Sequence, residues 1–183
     1  EDINLLKKIY VSMGYNFVNL NTKIEKFSEN RVNILYTIEK GNKTYIDKID
    51  FIGDKKIRDN RLRDIIASEE NKFWKFLSKN TYFNQSNIEL DKRLLLNYYK
   101  SLGYYDVQVL SSNSEINPNR NNINLVYTIN SGKRYKINKI STNVDSILDK
   151  KLFEPIVENY KDIIGKYYTP FKVKKLLDEV NRL

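Results

Sequence analysis

Apolar positions along the chain recur at two different spacings, and the switches between them mark out the elements. Ile88, Asp91, Leu95, Tyr98, Tyr99 and Leu102 follow one another mainly in steps of three and four, the stripe of an amphipathic helix, and Ser86 is a suitable N-cap for it. Gly103 comes directly afterwards. Glycine takes the left-handed conformation without a Cβ penalty, so Gly103, and Gly14 earlier in the chain, are expected as C′ residues that turn a helix into a strand. That strand is expected over residues 104–110. Beyond a polar stretch, Ile123, Leu125, Tyr127 and Ile129 alternate as they would on a half-buried strand, which completes a hairpin. Upstream, Ile46, Ile49 and Phe51 belong to a strand over 45–52, with Gly53-Asp54 supplying the turn. Leu62, Ile65 and Ile66, after a cap at Asp59 or Asn60, predict a short helix. The unit reads strand, helix, helix, strand, strand.

The pattern repeats. Leu6 to Tyr15 matches Leu95 to Tyr104 at an offset of 89 residues, with Gly14-Tyr15 falling on Gly103-Tyr104. Val32-Asn33-Ile34-Leu35-Tyr36-Thr37-Ile38 matches Ile123-Asn124-Leu125-Val126-Tyr127-Thr128-Ile129 at an offset of 91, and Gly41 and Gly132 follow each copy by three residues. Two inserted residues around Asn117 to Asn122 account for the drift. A third correspondence sets Phe83–Leu95 beside Tyr168–Val180, where Ile88 and Val173 each open an apolar helical pattern. The repeat divides the chain into residues 1–42, a helix and a hairpin; residues 43–133, one complete unit; and residues 134–183, the first strand and helices of another. Incomplete flanking units are expected to be less ordered, or to pack on a neighbouring copy, unless the chain is part of a longer one.

Composition narrows the function classes. The chain has neither cysteine nor histidine, which removes disulfides, thiol catalysis, thiolate metal sites and the commonest general base. Its six glycines form no phosphate-binding loop. Asp47 and Asp50 are expected to face opposite sides of a strand, and Glu69-Glu70 to be neighbours at a helix end, so neither pair converges on a substrate. No catalysis, metal or cofactor is expected. Hydrophobic residues make up 40% and charged residues 30%, a globular balance, and no apolar run reaches the roughly 18 residues that cross a bilayer. The chain opens at Glu1-Asp2-Ile3-Asn4 without the basic and apolar regions of a signal peptide, so a targeting segment would lie upstream. The net charge of +9 is scattered and reads as a solvated surface. Lys133-Arg134-Tyr135-Lys136 and Lys172, Lys174 and Lys175 could contact phosphates, but the nearby aromatics fall on core-facing positions and nucleic acid is not the expected partner.

The order of elements, Ile49-x-Phe51-x-Gly53-Asp54 on the first strand, the helix ending Tyr98-Tyr99-x-x-x-Gly103-Tyr104 and the strand closing at Gly132 together resemble POTRA domains, those of the bacterial outer-membrane β-barrel assembly family in particular. The likeness runs through essentially the whole chain. Lys40 and Ser131 stand where that family often carries glutamate, and Asn143 stands where Gly53 does in the preceding copy. The resemblance implies an α+β fold of tandem β-α-α-β-β units, each a three-stranded mixed sheet covered on one face by two helices. It also implies a scaffold and chaperone role at the periplasmic face of the outer membrane. Expected partners are unfolded outer-membrane protein precursors, accessory assembly lipoproteins, adjacent POTRA domains and a membrane β-barrel. A module of a two-partner secretion or autotransporter-assembly pore is the alternative within the superfamily.

The same likeness places the strand after each capping glycine at a sheet edge. An open edge offers unpaired N–H and C=O groups to an extended peptide and is indifferent to its side chains. The edge positions are Asp106, Val107, Gln108, Val109 and Leu110 in the complete unit, and Phe17, Val18, Asn19, Leu20 and Asn21 in the first. Phe73-Trp74-Lys75-Phe76-Leu77 is the most aromatic run; it either folds back over the core or is an exposed loop that docks a partner through Phe73, Trp74 and Phe76.

Overall fold

The computed structural model describes residues 2–75, 77–113, 121–141, 151 and 154–182. A helix, α1 (Asp2–Ser12), leads to an antiparallel hairpin of β1 (Asn19–Ser28) and β2 (Arg31–Glu39). The central unit follows, with β3 (Tyr45–Asp54), a short α2 (Asp59–Arg63), the long α3 (Gln85–Ser101), β4 (Gln108–Asn113) and β5 (Asn122–Asn130). Two further helices, α4 (Glu154–Lys161) and α5 (Pro170–Val180), come after it.

The central sheet has the order β3-β5-β4, with β3 parallel and β4 antiparallel to β5. Its helix-facing side and the inner faces of α2 and α3 enclose one core. Ile46, Ile49 and Phe51 come from β3, Leu62 from α2, Ile88, Leu95 and Tyr99 from α3, and Ile123, Leu125, Tyr127 and Ile129 from β5. Burying each aliphatic side chain fully is worth roughly 1.5–3 kcal/mol, which holds α3 against the sheet. Ile46 and Ile49 both reach the core although three residues apart, because the β3–β5 register shifts between Ile46 and Lys48.

Helix ends follow the capping glycines. Gly103 N–H donates to Lys100 O and Tyr104 N–H to Tyr99 O, and Gly14 and Tyr15 make the same pair of bonds to Val11 and Tyr10. Both are Schellman closures, with Gly103 at φ +97° and Gly14 at φ +93°.

Several local expectations are corrected. The N-cap of α3 is Asn84, whose side chain accepts from Ser86 N–H, so Ser86 lies inside the first turn. α2 is preceded by Arg58 with no side-chain cap; Asp59 is its first residue and pairs with Lys55 instead. Gly53 and Asp54 are not a turn. They continue β3, opposite Ile129 and Asn130, and the chain reverses over Lys55–Ile57, where Lys56 has φ +54°. The strand after Gly103 starts at Gln108 rather than at residue 104. The first strand expected in the last unit, over residues 135–140, does not form. Tyr135 N–H donates back to Gly103 O, and the segment also bonds to the 165–168 stretch, with Ile137 N–H on Lys166 O and Tyr168 N–H on Tyr135 O. The pairing amounts to a single antiparallel bridge, Lys136 to Tyr167, too short to make a strand of the segment.

Candidate functional site

The two outer strands of the central sheet end their hydrogen bonding differently. Along the outer side of β3, backbone groups are taken up from within the unit: Ile46 O accepts Asn71 N–H at 2.7 Å, Ile49 O accepts the Arg63 guanidinium at 2.7 Å, Ile49 N–H donates to Glu70 Oε1 at 3.0 Å, and Phe51 O accepts Lys55 Nζ at 2.8 Å. At its start Tyr45 bridges Tyr82, with Phe83 N–H on Thr44 O. Burial pushes the Glu70 carboxyl up, but the Ile49 N–H together with Lys72 and Arg63 outweighs it, and the net shift is downward; Glu70 stays an anion and a hydrogen-bond acceptor at neutral pH. Glu69 and Glu70 are therefore not a helix end. They clamp the β3 edge and the loop behind it, with Lys75 on Glu69 and Lys72 on Glu70.

Among the described residues β4 has no such cover. It pairs only with β5, and no other strand lies on its far side among the described residues. Val109 faces the core while Leu110, 64% exposed, faces away from it. A strand of six residues with one open side is long enough to take an extended segment into the sheet.

Of the expected edge positions, Gln108, Val109 and Leu110 lie on β4, and Asn19, Leu20 and Asn21 lie on β1 opposite Glu39, Ile38 and Thr37. Four do not. Asp106 sits in a turn and accepts the Tyr135 hydroxyl at 2.7 Å, Val107 is core, and Phe17 and Val18 precede β1, with Val18 buried. Residues 104–106 are spent on contacts with the following segment, so the ladder begins later. The edge continues through Ser111, Ser112 and Asn113, polar positions that apolar periodicity could not assign.

In the aromatic run, Phe73 is 87%, Trp74 61% and Leu77 83% exposed, with the two rings edge to face. It does not fold back over the core. Its base is fixed by Glu69 N–H on Asn80 O and Asn71 N–H on Ile46 O; Phe76 lies outside the described residues. Of the basic cluster at 133–136, Arg134 stacks over Tyr167 at 3.4 Å and donates to Leu102 O at 2.8 Å, so it is committed within the chain. Among the described residues no group of three or more His, Cys, Asp or Glu could hold a metal, and no helix is long and apolar enough to cross a membrane.

A mixed three-stranded sheet under two helices, one edge sealed and the other open, in a chain that repeats its helix-to-strand signal, defines a modular α+β domain. Residues 44–132 match the family model POTRA, described as a surface antigen variable number repeat, and this central unit is a POTRA domain. The chain is 26% identical over 180 residues to the outer membrane protein assembly factor BamA of Neisseria meningitidis serogroup B, covering 97% of this chain and 22% of the relative. It is 27% identical over 139 residues to BamA of Neorickettsia risticii, covering 76% of this chain and 19% of that protein. The chain thus spans about a fifth of the length of these relatives. Among solved structures, POTRA3-5 of Haemophilus influenzae BamA superposes with a TM-score of 0.59 at 14% identity, covering 99% of this chain and 67% of that one, which bears on the fold.

Proposed function

We propose that the chain is a periplasmic POTRA segment of an outer-membrane protein assembly factor, standing beside a membrane β-barrel, that receives unfolded barrel precursors by strand addition along β4. The observation that carries this reading is the asymmetry of the edges. Side-chain and loop donors occupy the outer carbonyls of β3, while the far side of β4, away from β5, faces no other strand among the described residues. Backbone pairing suits a client pool of diverse sequence, since the ladder does not depend on side-chain identity. The relatives are named as assembly factors of the outer membrane, in keeping with such clients. Residues 1–42 and 134–183 are parts of flanking units of the same kind, a division supported by the matching helix ends at Gly14 and Gly103.

The test is a backbone amide titration of the chain with an extended outer-membrane strand peptide. Shifts should concentrate on residues 108–113 and spare the outer edge of β3, and a peptide N-methylated at alternate residues should lose the effect. Shifts that persist with the N-methylated peptide, or that spread without focus on β4, would overturn the mechanism.

The protruding Phe73-Trp74 pair with Leu77 serves a different partner in this reading, an accessory assembly lipoprotein. Trp74 is the single tryptophan, so its emission reports on this loop alone. Emission should be that of a solvated indole, stay unchanged when strand peptide is added, and shift to the blue when the lipoprotein binds. A blue shift with strand peptide alone would place the client on the loop.

A further inference from the structure

The junctions before and after the central POTRA domain are built alike, from residues that the helix-capping motif does not require. At the first, Gly14 O accepts Thr44 N–H at 2.9 Å and Thr44 O accepts Phe83 N–H at 2.9 Å. Lys43 Nζ sits between two rings, 4.1 Å from the centre of Tyr82 and 5.3 Å from that of Tyr15. At the second, Gly103 O accepts Tyr135 N–H at 3.0 Å and Tyr135 O accepts Tyr168 N–H at 2.8 Å. There the Arg134 guanidinium lies 3.4 Å from the centre of Tyr167 and 5.5 Å from that of Tyr104. Lys43 and Arg134 are 91 residues apart, the offset of the strand repeat, so the two cations hold equivalent positions.

Close approach adds a second reason for the glycines. A Cβ on Gly14 would lie 2.9 Å from Tyr82 Cβ, and one on Gly103 would lie 3.0 Å from Tyr167 Cβ. Helix-end carbonyls are also satisfied from across each junction: Ser12 O by the Asn84 amide at 3.2 Å, and Leu102 O by Arg134 Nε at 2.8 Å. A cation at a helix C-terminus meets the negative end of the helix dipole as well as the two ring faces. One linker residue, Thr44 or Tyr135, is hydrogen-bonded through its N–H to the preceding helix end and through its C=O to the segment that leads into the next long helix.

We infer that these contacts form a clasp, a helix-ending Gly-Tyr, a cation and a second tyrosine, that fixes the direction of each repeat relative to the next, with Lys43 and Arg134 as the positioning residues. A junction of few polar contacts ordinarily permits domain motion. Here the cation enclosed by two rings, with the glycine packed against one of them, replaces a flexible linker by a set geometry. The inference concerns the array alone and stands whether or not β4 binds clients.

The chain has no cysteine, so spin labels can be placed freely. Asn97→Cys on the exposed side of α3 and Lys174→Cys on the exposed side of α5 report the second junction by pulsed electron spin resonance on the full chain. A single narrow distance distribution is expected for the parent. Arg134→Gln should broaden it at least about twofold, as for domains no longer held, and Arg134→Lys should restore much of the sharpness. Amide shifts of the central core should stay unchanged in both. Lys43→Gln, read between Lys8→Cys and Asn97→Cys, repeats the test at the first junction. A broad distribution in the parent, or an unaltered narrow one in both glutamine variants, would overturn the clasp.

Discussion

Asp91→Ala is expected to cost the central unit about 3–5 kcal/mol, enough to leave so small a domain partly unfolded at ambient temperature. Asp91 lies on α3 in the same stripe as Ile88, Leu95 and Tyr99, yet its side chain is fully buried. Its Oδ1 accepts Ala67 N–H at 2.6 Å and Ser68 N–H at 3.1 Å, and its Oδ2 accepts the Tyr127 hydroxyl at 2.6 Å. One carboxylate thus ties the turn after α2 and the middle of β5 to α3. Alanine strands three donors at once, each at a cost of roughly 1–3 kcal/mol if left unpaired, with partial relief where water enters. Asp91→Asn keeps an oxygen for the two amides and should cost less, about 1–2 kcal/mol, because the Tyr127 hydroxyl can turn to accept from the new amide. Urea unfolding followed by circular dichroism measures both. Equal losses for the two variants, or a loss below about 1 kcal/mol for alanine, would mean the carboxylate is not the link described.

The same cluster sets an alkaline limit. Burial, and then the neighbouring Asp91 charge, raise the Tyr127 hydroxyl well above its ordinary value of 10.0, and burial raises Tyr99 in the same direction. A folded-state value above the unfolded one means that the stabilisation is complete below pH 10.0 and is lost as pH rises from there through the raised values, because only the unfolded chain releases the proton early. Tyr127→Phe should therefore flatten the alkaline decline in stability while costing about 2–3 kcal/mol at neutral pH, because it leaves Oδ2 of the buried Asp91 carboxylate without its donor.

What periodicity could reveal and what it could not divide along physical lines. The strands of the central sheet, the long helix and the Gly103 closure follow from residues whose own preferences agree with their surroundings, and these are legible, whereas the strand expected over 135–140 lacked a neighbouring strand to pair with among the described residues. Asp91 obeys the spacing of the stripe but not its polarity. Its three donors come from residues 67, 68 and 127, which only the tertiary fold brings together. The edge strand was displaced for a similar reason: Tyr104, Tyr105 and Asp106 have strand-like neighbours but are committed to Arg134, Tyr168 and Tyr135 across the junction. That β4 is the open edge could be inferred from the family likeness. That β3 is closed could not, since Arg63, Glu70 and Asn71 look like ordinary surface residues until they meet Ile46 and Ile49. Lys43 and Arg134 carried a usable signal in their shared offset, hidden because Lys and Arg do not align by identity.

Gly53 is where strand pattern and backbone geometry collide most directly, and Gly53→Ala is expected to cost roughly 3 kcal/mol. The residue sits within β3 at φ +88°, and a Cβ there would fall 2.5 Å from the backbone oxygen of Ile129 on β5. Two penalties act together. Left-handed backbone costs an alanine about 1–2 kcal/mol, and the clash is with a strand that cannot move aside without opening the β3–β5 ladder. Gly165 separates them: at φ +80° it carries the same conformational demand, but nothing lies within 4 Å of its would-be Cβ. Gly165→Ala, read by thermal unfolding of its own unit around Ile156, Tyr160 and Leu176, should therefore show the conformational cost alone, and the excess in Gly53→Ala, read by unfolding of the central core, measures the close approach. If the two variants lose the same stability, β3 and β5 are looser at this point than the geometry states. If Gly53→Ala loses more, the parallel pair is rigid where β3 ends, and β5 is held from that side while its other side supports β4. An open edge can take an incoming strand only if the strand beneath it stays in place, so the same variant should weaken peptide pairing along residues 108–113 without touching that edge.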